Sequence, residues 1–179
     1  MVKDKTENVG PKTVKAILAE IGVGFGGKTP NVFRVLSRNE AVLKAAHAMM
    51  GELTNGGILS DIDREIVAIT TAMEKNCEYC TTAHQDVAKR CGAPEDDVEA
   101  ILNRTAPKDA RSRALIDTVQ KLYARNGRLS QMELADISSS GISEAELLEI
   151  IAYMSVYQML SFVTNNWETP IDPQFRKAK

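Results

Sequence analysis

Two of the three cysteines and one of the two histidines of this chain lie within a single short stretch, Cys77-Glu78-Tyr79-Cys80-Thr81-Thr82-Ala83-His84. No other stretch gathers so many reactive side chains. A cysteine is a nucleophile only as its thiolate, and at its ordinary pKa of about 8.5 it is mostly protonated near neutrality. Two agents are in reach to change that. The cysteines stand at the start of a helix, where unpaired N–H groups and the helix dipole favour an anion. His84 follows Cys80 by four residues, so the two share a helix face with Cβ atoms roughly 6 Å apart, and the imidazole can serve as base. The Cys-x-x-Cys spacing also brings the sulfurs close enough to join, which allows a cycle in which one thiol is oxidised and the other resolves it.

The same residues have a rival use. A structural zinc site takes four ligands. Cys77, Cys80 and His84 supply three, and only Cys91 or Glu65 could supply a fourth. The redox reading needs neither metal nor cofactor. Glu65 borders Ile62, Ala68, Ile69 and Ala72 on its own helix. From pattern alone it reads first as a solvated glutamate at the edge of that stripe. If it is buried, its pKa should rise unless a partner such as His84, or a thiol reached through water, offsets the desolvation. Cys91 reads as a small buried hydrophobe and His47 as a structural or surface residue. Residues 22–29, GVGFGGKT, match the phosphate-binding pattern G-x-x-x-x-G-K-T. That pattern works only between a strand and a helix. Here a helix-like segment precedes it and Pro30 follows, so a glycine loop, able to cover the site, is the expectation.

The elements that must hold these residues read as helices. Apolar residues recur at helical spacing from 13 to 21, then from Pro30 through Leu53 in two pieces. Ser60-Asp61-Ile62-Asp63 is a capping-box start for a helix ending near Asn76. A short turn over 77–80 leads into a helix from 81 to 91, closed by Gly92. Pro94 and Pro107 open two more. Ser130/Glu133 and Ser143/Glu146 are further capping boxes. The last helix, about 143 to 164, is apolar nearly all round, as expected of a central core element or a subunit interface. Trp167 is the expected anchor of an irregular tail over 169–179, and Arg111 and Arg113 a solvated face. No alternating strand pattern occurs. The expectation is an all-α, single-domain helical bundle over 13–168, with a redox core at about 58–92 and a flexible N-terminus over 1–12.

Bulk properties agree. A length of 179 residues, 44% hydrophobic and 26% charged, suits one soluble globular domain. A formal net charge of −2 gives no basic field for nucleic acid or an anionic membrane. No apolar run is read as reaching the roughly 18 residues of a membrane span, and the polar start has no signal-peptide core. The expected compartment is the cytoplasm, where structural disulfides are rare.

Glu65 followed by Cys77-x-Tyr79-Cys80-x-x-x-His84 resembles the active-site signature of the AhpD-like alkylhydroperoxidases in the carboxymuconolactone decarboxylase superfamily. Residues 30–36, PNVFRVL, and 41–45, AVLKA, are similar to the helical lead-in of that superfamily. The resemblance covers about residues 30–92. It implies a hydroperoxide substrate attacked by Cys80, a Glu65/His84 proton relay, Cys77 resolving the product into a Cys77–Cys80 disulfide, and Tyr79 shaping the site. It also implies a homo-oligomer, a trimer or hexamer, and a dithiol reductant such as a lipoyl-bearing protein. Two other readings keep the residues and change their use. One is a lyase or isomerase of small lactone acids, with His84 and Glu65 as acid and base. The other is a non-enzymatic zinc-binding or redox-sensing module.

Overall fold

The computed structural model describes residues 12–176, and within them every regular element is helical. The stretch read as a flexible N-terminus therefore lies outside the described residues, apart from Lys12. Nine α-helices follow in order: α1 Val14–Val23, α2 Asn31–Leu36, α3 Glu40–Gly56, α4 Asp61–Glu74, α5 Glu78–Arg90, α6 Glu95–Leu102, α7 Ala110–Ala124, α8 Gln131–Ser139 and α9 Glu144–Asn166, with a 3₁₀ turn at Pro173–Phe175. The all-α single-domain reading holds.

The starts are fixed by local chemistry. Ser60, Ser130 and Ser143 each accept from the third helical N–H while the carboxylate there reaches back to the serine N–H, closing three capping boxes. The three prolines sit just outside the helices they were expected to open. Pro30 and Pro94 are N-cap residues, and after Pro107 the cap falls to Asp109. The glycine loop is preceded by α1, so the strand that a phosphate-binding loop requires is missing.

The centre of the bundle is α4. Residues 65–72 are buried without interruption, and the helix packs against α5, α7 and α9. The apolar α9, read as a central core element or a subunit interface, covers the core with one side only. Leu148, Ile151 and Phe162 face outward on the other. By length and composition α9 would also pass as a membrane span, contrary to the reading that no run is long enough. Half of its most apolar window is buried in the bundle.

Polar ties join the helix ends. Arg111, expected on a solvated face, instead bridges Asp63 at 3.1 Å and Glu146 at 2.5 Å, joining the capping carboxylates of α4 and α9. The Glu149 carboxylate accepts from the N–H groups of Ile58 and Leu59. It passes so close to Gly57 that a Cβ there would overlap it, which explains glycine at that position. Arg113 donates to the carbonyls of Pro107 and Lys108.

The tail differs from its expected role. Trp167 is exposed, while Phe175 is buried in the core cluster, so the anchor is Phe175. Residues 169–176 thus continue the packed domain, and 177–179 lie outside the described residues.

Candidate active site

The turn between α4 and α5 builds the cysteine site. Asn76 takes a left-handed φ of 48°, and Cys77 N–H returns to the Ala72 carbonyl at 2.9 Å, ending α4 and reversing the chain. Cys77 is then the N-cap of α5, with its sulfur accepting the Cys80 N–H at 3.2 Å. A thiol here occupies the place usually held by a serine or aspartate oxygen. The helix starts at Glu78, three residues earlier than its periodicity predicts, and Tyr79 and Cys80 lie in its first turn.

Both thiols are free and buried, Cys77 at 1% exposure and Cys80 at 5%. The pair ionises unevenly. Hydrogen bonding from the Cys80 thiol, then from Thr164 and the Cys80 N–H, lowers the Cys77 pKa to about 6 despite burial. Cys80 is pushed up, first by its hydrogen bond to Cys77 and then by burial. One negative charge is therefore shared, with Cys77 the sulfur that carries it. The helix terminus acts on the first cysteine more than on the second.

Glu65 and His84 meet across the α4–α5 interface. His84 Nδ1 lies 2.8 Å from Glu65 Oε2, and the carboxylate is 8% exposed. A neutral imidazole donating from Nδ1 to the carboxylate leaves its Nε2 free to take a proton. Edge-to-face packing on Tyr157, with centroids 4.8 Å apart, steadies the ring. Glu65 is thus a buried partner of His84 and not the solvated glutamate that its pattern suggested.

Cys80 and His84 line one cavity of about 60 Å3, along with Phe25, Phe33, Tyr157 and Phe175. Its wall is otherwise apolar or aromatic. The glycine loop contributes Phe25, whose ring packs edge-on against Phe175 at 5.8 Å. The loop therefore covers part of the site, as expected. A larger hollow of about 440 Å3 beside Lys75, Tyr123 and Phe162 is lined by no thiol, histidine or carboxylate.

The sequence pattern does not reveal three residues at the site. Thr164 of α9 places its hydroxyl 3.0 Å from Cys77 Sγ and 3.7 Å from Cys80 Sγ. Ser161, one turn earlier, is fully buried. Asp172 accepts from the Tyr79 phenol at 2.6 Å. A pair of hydroxyl residues three apart inside an otherwise apolar helix was the available signal for the first two. Cys91 caps the far end of α5, away from the pair, and burial raises its pKa. Among the described residues no group of three His, Cys, Asp or Glu is placed to hold a metal ion, so the zinc reading lacks a ligand set.

Comparison with known proteins agrees with this architecture. The carboxymuconolactone decarboxylase family profile matches residues 40–120. Among solved structures, a peroxidase-related protein with an alkylhydroperoxidase AhpD core from Ralstonia eutropha JMP134 aligns with a TM-score of 0.82 at 18% identity, covering 92% of this chain and 88% of that one. A peroxidase-related protein from Silicibacter sp. TM1040 aligns at 0.77 and 22% identity, covering 89% and 85%. The debrominase Bmp8, solved with 2,3,4-tribromopyrrole, aligns at 0.74 and 14% identity, covering 91% and 87%. No curated protein matches. Over residues 40–120 this chain is similar to the carboxymuconolactone decarboxylase family, and its fold is that of the AhpD-core structures.

Proposed function

We propose that this protein is a thiol peroxidase that reduces apolar organic hydroperoxides. The observation that carries the reading is the meeting of two free, buried thiols one helical turn apart with the Glu65–His84 pair at an apolar cavity. Peroxidase-related relatives of the same fold support it.

Cys80 lines the cavity and Cys77 does not, so Cys80 is the sulfur that meets substrate. His84, oriented by Glu65, takes the Cys80 proton as the sulfur attacks the outer peroxide oxygen. The O–O bond breaks, and the leaving alkoxide takes that proton to become an alcohol. Cys80 is left as a sulfenic acid. The Cys77 thiolate then attacks the Cys80 sulfur, the S–S bond forms, and hydroxide leaves as water with a proton from the site. A dithiol reductant, such as a lipoyl-bearing protein, returns the pair to thiols by two successive exchanges and is itself oxidised to a disulfide. Tyr79 holds the turn between the two sulfurs. The cycle suits the cytoplasm, where thiols are kept reduced. A homo-oligomer, trimer or hexamer, accounts for the apolar outer face of α9.

The test is one equivalent of an organic hydroperoxide added to reduced protein, followed by thiol titration and mass mapping. Two thiols should be lost, a Cys77–Cys80 link should appear, and Cys80→Ser should consume no peroxide. Peroxide consumption by Cys80→Ser equal to the parent overturns the mechanism. An activity surviving replacement of both cysteines points to the acid–base lyase chemistry instead.

A further inference from the structure

We propose that Thr164 and Ser161 of α9 form a hydroxyl cradle that holds the negative charge of the cysteine pair on Cys77, and so set which sulfur is ionised. The inference assigns new residues to the site and rests on the thiol-redox reading only for the use made of that charge.

The geometry is specific. Thr164 Oγ1 is 3.0 Å from Cys77 Sγ and 3.7 Å from Cys80 Sγ, and the residue is buried. A threonine hydroxyl has one proton and can accept from other donors at the same time. In the dithiol state that proton has carbonyl partners on its own helix, Leu160 O at 3.0 Å and Ser161 O at 3.1 Å, and the oxygen can accept an S–H. When the pair loses a proton to solvent, the hydroxyl can turn and donate to the sulfur. The Leu160 carbonyl keeps its helical N–H partner, so the turn leaves no orphan acceptor. A hydrogen bond to a charged group is worth more than the neutral one it replaces.

Ser161 adds an independent observation. Its hydroxyl is fully buried and makes no hydrogen bond in this geometry. A buried hydroxyl left unsatisfied is destabilising, so it calls for a partner. It lies where it favours ionisation of both thiols. Its partner, on this reading, is the thiolate. Thr164 is nearer to Cys77, and Cys77 also receives the Cys80 N–H, so the hydroxyl and the backbone donor converge on the first sulfur. The end of α9 is held to the turn by Asn165, whose side-chain amide donates to the Lys75 carbonyl at 3.1 Å.

The other titratable or charged groups around the pair are Glu65 from α4, Lys75 at the C-cap that follows it, Tyr79 and His84 from α5, Tyr157 from α9, and Asp172 from the tail. All remain in place in the variants used for the test. The thiolate ultraviolet absorbance of the reduced, full-length protein is followed against pH in a Cys91→Ala background, which removes the third thiol. Thr164→Val, nearly isosteric, should move the first ionisation upward by about one unit, a roughly tenfold loss of thiolate below the midpoint. Ser161→Ala should move it upward by less, and Thr164→Ser should restore the parent value. An unshifted titration in Thr164→Val and Ser161→Ala overturns the proposal, as does a shift that Thr164→Ser fails to reverse. Should Thr164→Val not fold, the Ser161→Ala and Thr164→Ser titrations decide on their own. No peroxide enters the measurement, so the cradle is tested even in a protein without peroxidase activity.

Discussion

The phenol of Tyr79, between the two cysteines, donates a 2.6 Å hydrogen bond to Oδ2 of Asp172, a residue 93 positions later in the chain. The same carboxylate accepts the Asn31 N–H at the start of α2. One buried aspartate thus ties the tail, the second helix and the cysteine turn together. Burial, and then this carboxylate, push the Tyr79 phenol well above its usual range, so it stays a donor. Asp172→Asn should cost about 1–3 kcal/mol, read as a lower midpoint in urea unfolding. Tyr79→Phe combined with Asp172→Asn should cost less than the sum of the two, because they remove the same bond. Strict additivity would show that the bond carries no coupling.

Glu65 acts through His84. Glu65→Gln keeps the shape of the side chain but removes the charge that orients the imidazole, and His84→Gln removes the base itself. Each should lower kcat/KM for hydroperoxide by about 10²–10⁴-fold, with the thiol count unchanged. Steady-state peroxide consumption at fixed reductant checks this. A His84→Gln protein with full activity would remove the relay from the mechanism.

The ionisation of Cys77 makes the stability of the reduced protein depend on pH. Its folded-state pKa, about 6, lies below the ordinary thiol value of 9.0. The unfolded chain therefore binds more protons between those limits, and stability rises with pH across them. The contribution is complete above the ordinary thiol range and is lost as pH falls through about 6. Cys80, raised instead, works in the opposite direction only above that range. The Tm of reduced protein should climb from pH 6 to pH 9 relative to Cys77→Ser, in which the added slope should vanish. A slope identical in both proteins contradicts the assignment of the charge to Cys77.

The outer face of α9 carries Leu148, Ile151 and Phe162 beside the hollow at Lys75 and Tyr123. A second copy of this chain would cover it. Leu148→Glu and Phe162→Glu should shift the sedimentation velocity profile to a smaller species while the circular dichroism stays helical. Parent protein that already sediments as a monomer would leave this face without the partner proposed for it.

What the sequence makes legible is local. The three capping boxes, the placement of the cysteines at a helix start and the four-residue step from Cys80 to His84 are written in neighbouring residues. The partnership of Glu65 with His84 needs the family resemblance, because nothing within α4 shows which helix it faces. Thr164 and Asp172 carry no such local mark. Their contacts to Cys77 and Tyr79 span 87 and 93 residues, and no periodicity encodes such a distance. The centre of the bundle is hidden for a related reason. An apolar α9 looks more buried than α4, whose threonines and Glu65 dilute its stripe. Yet Thr70 satisfies its hydroxyl on the Ile66 carbonyl and Glu65 on His84, so burial leaves neither without a partner.

The cap that Cys77 places on α5 also bears on the reduction potential of the pair. A sulfur that accepts the Cys80 N–H and faces the Thr164 hydroxyl is stabilised as an anion. Joined to Cys80, it carries no charge, and those donors lose most of what they gained. The dithiol form is thus favoured over the disulfide, which makes the disulfide a stronger oxidant and easy to reset. A dithiol of ordinary reducing strength would suffice to close the cycle, and the driving force would be stored at the first residue of one helix.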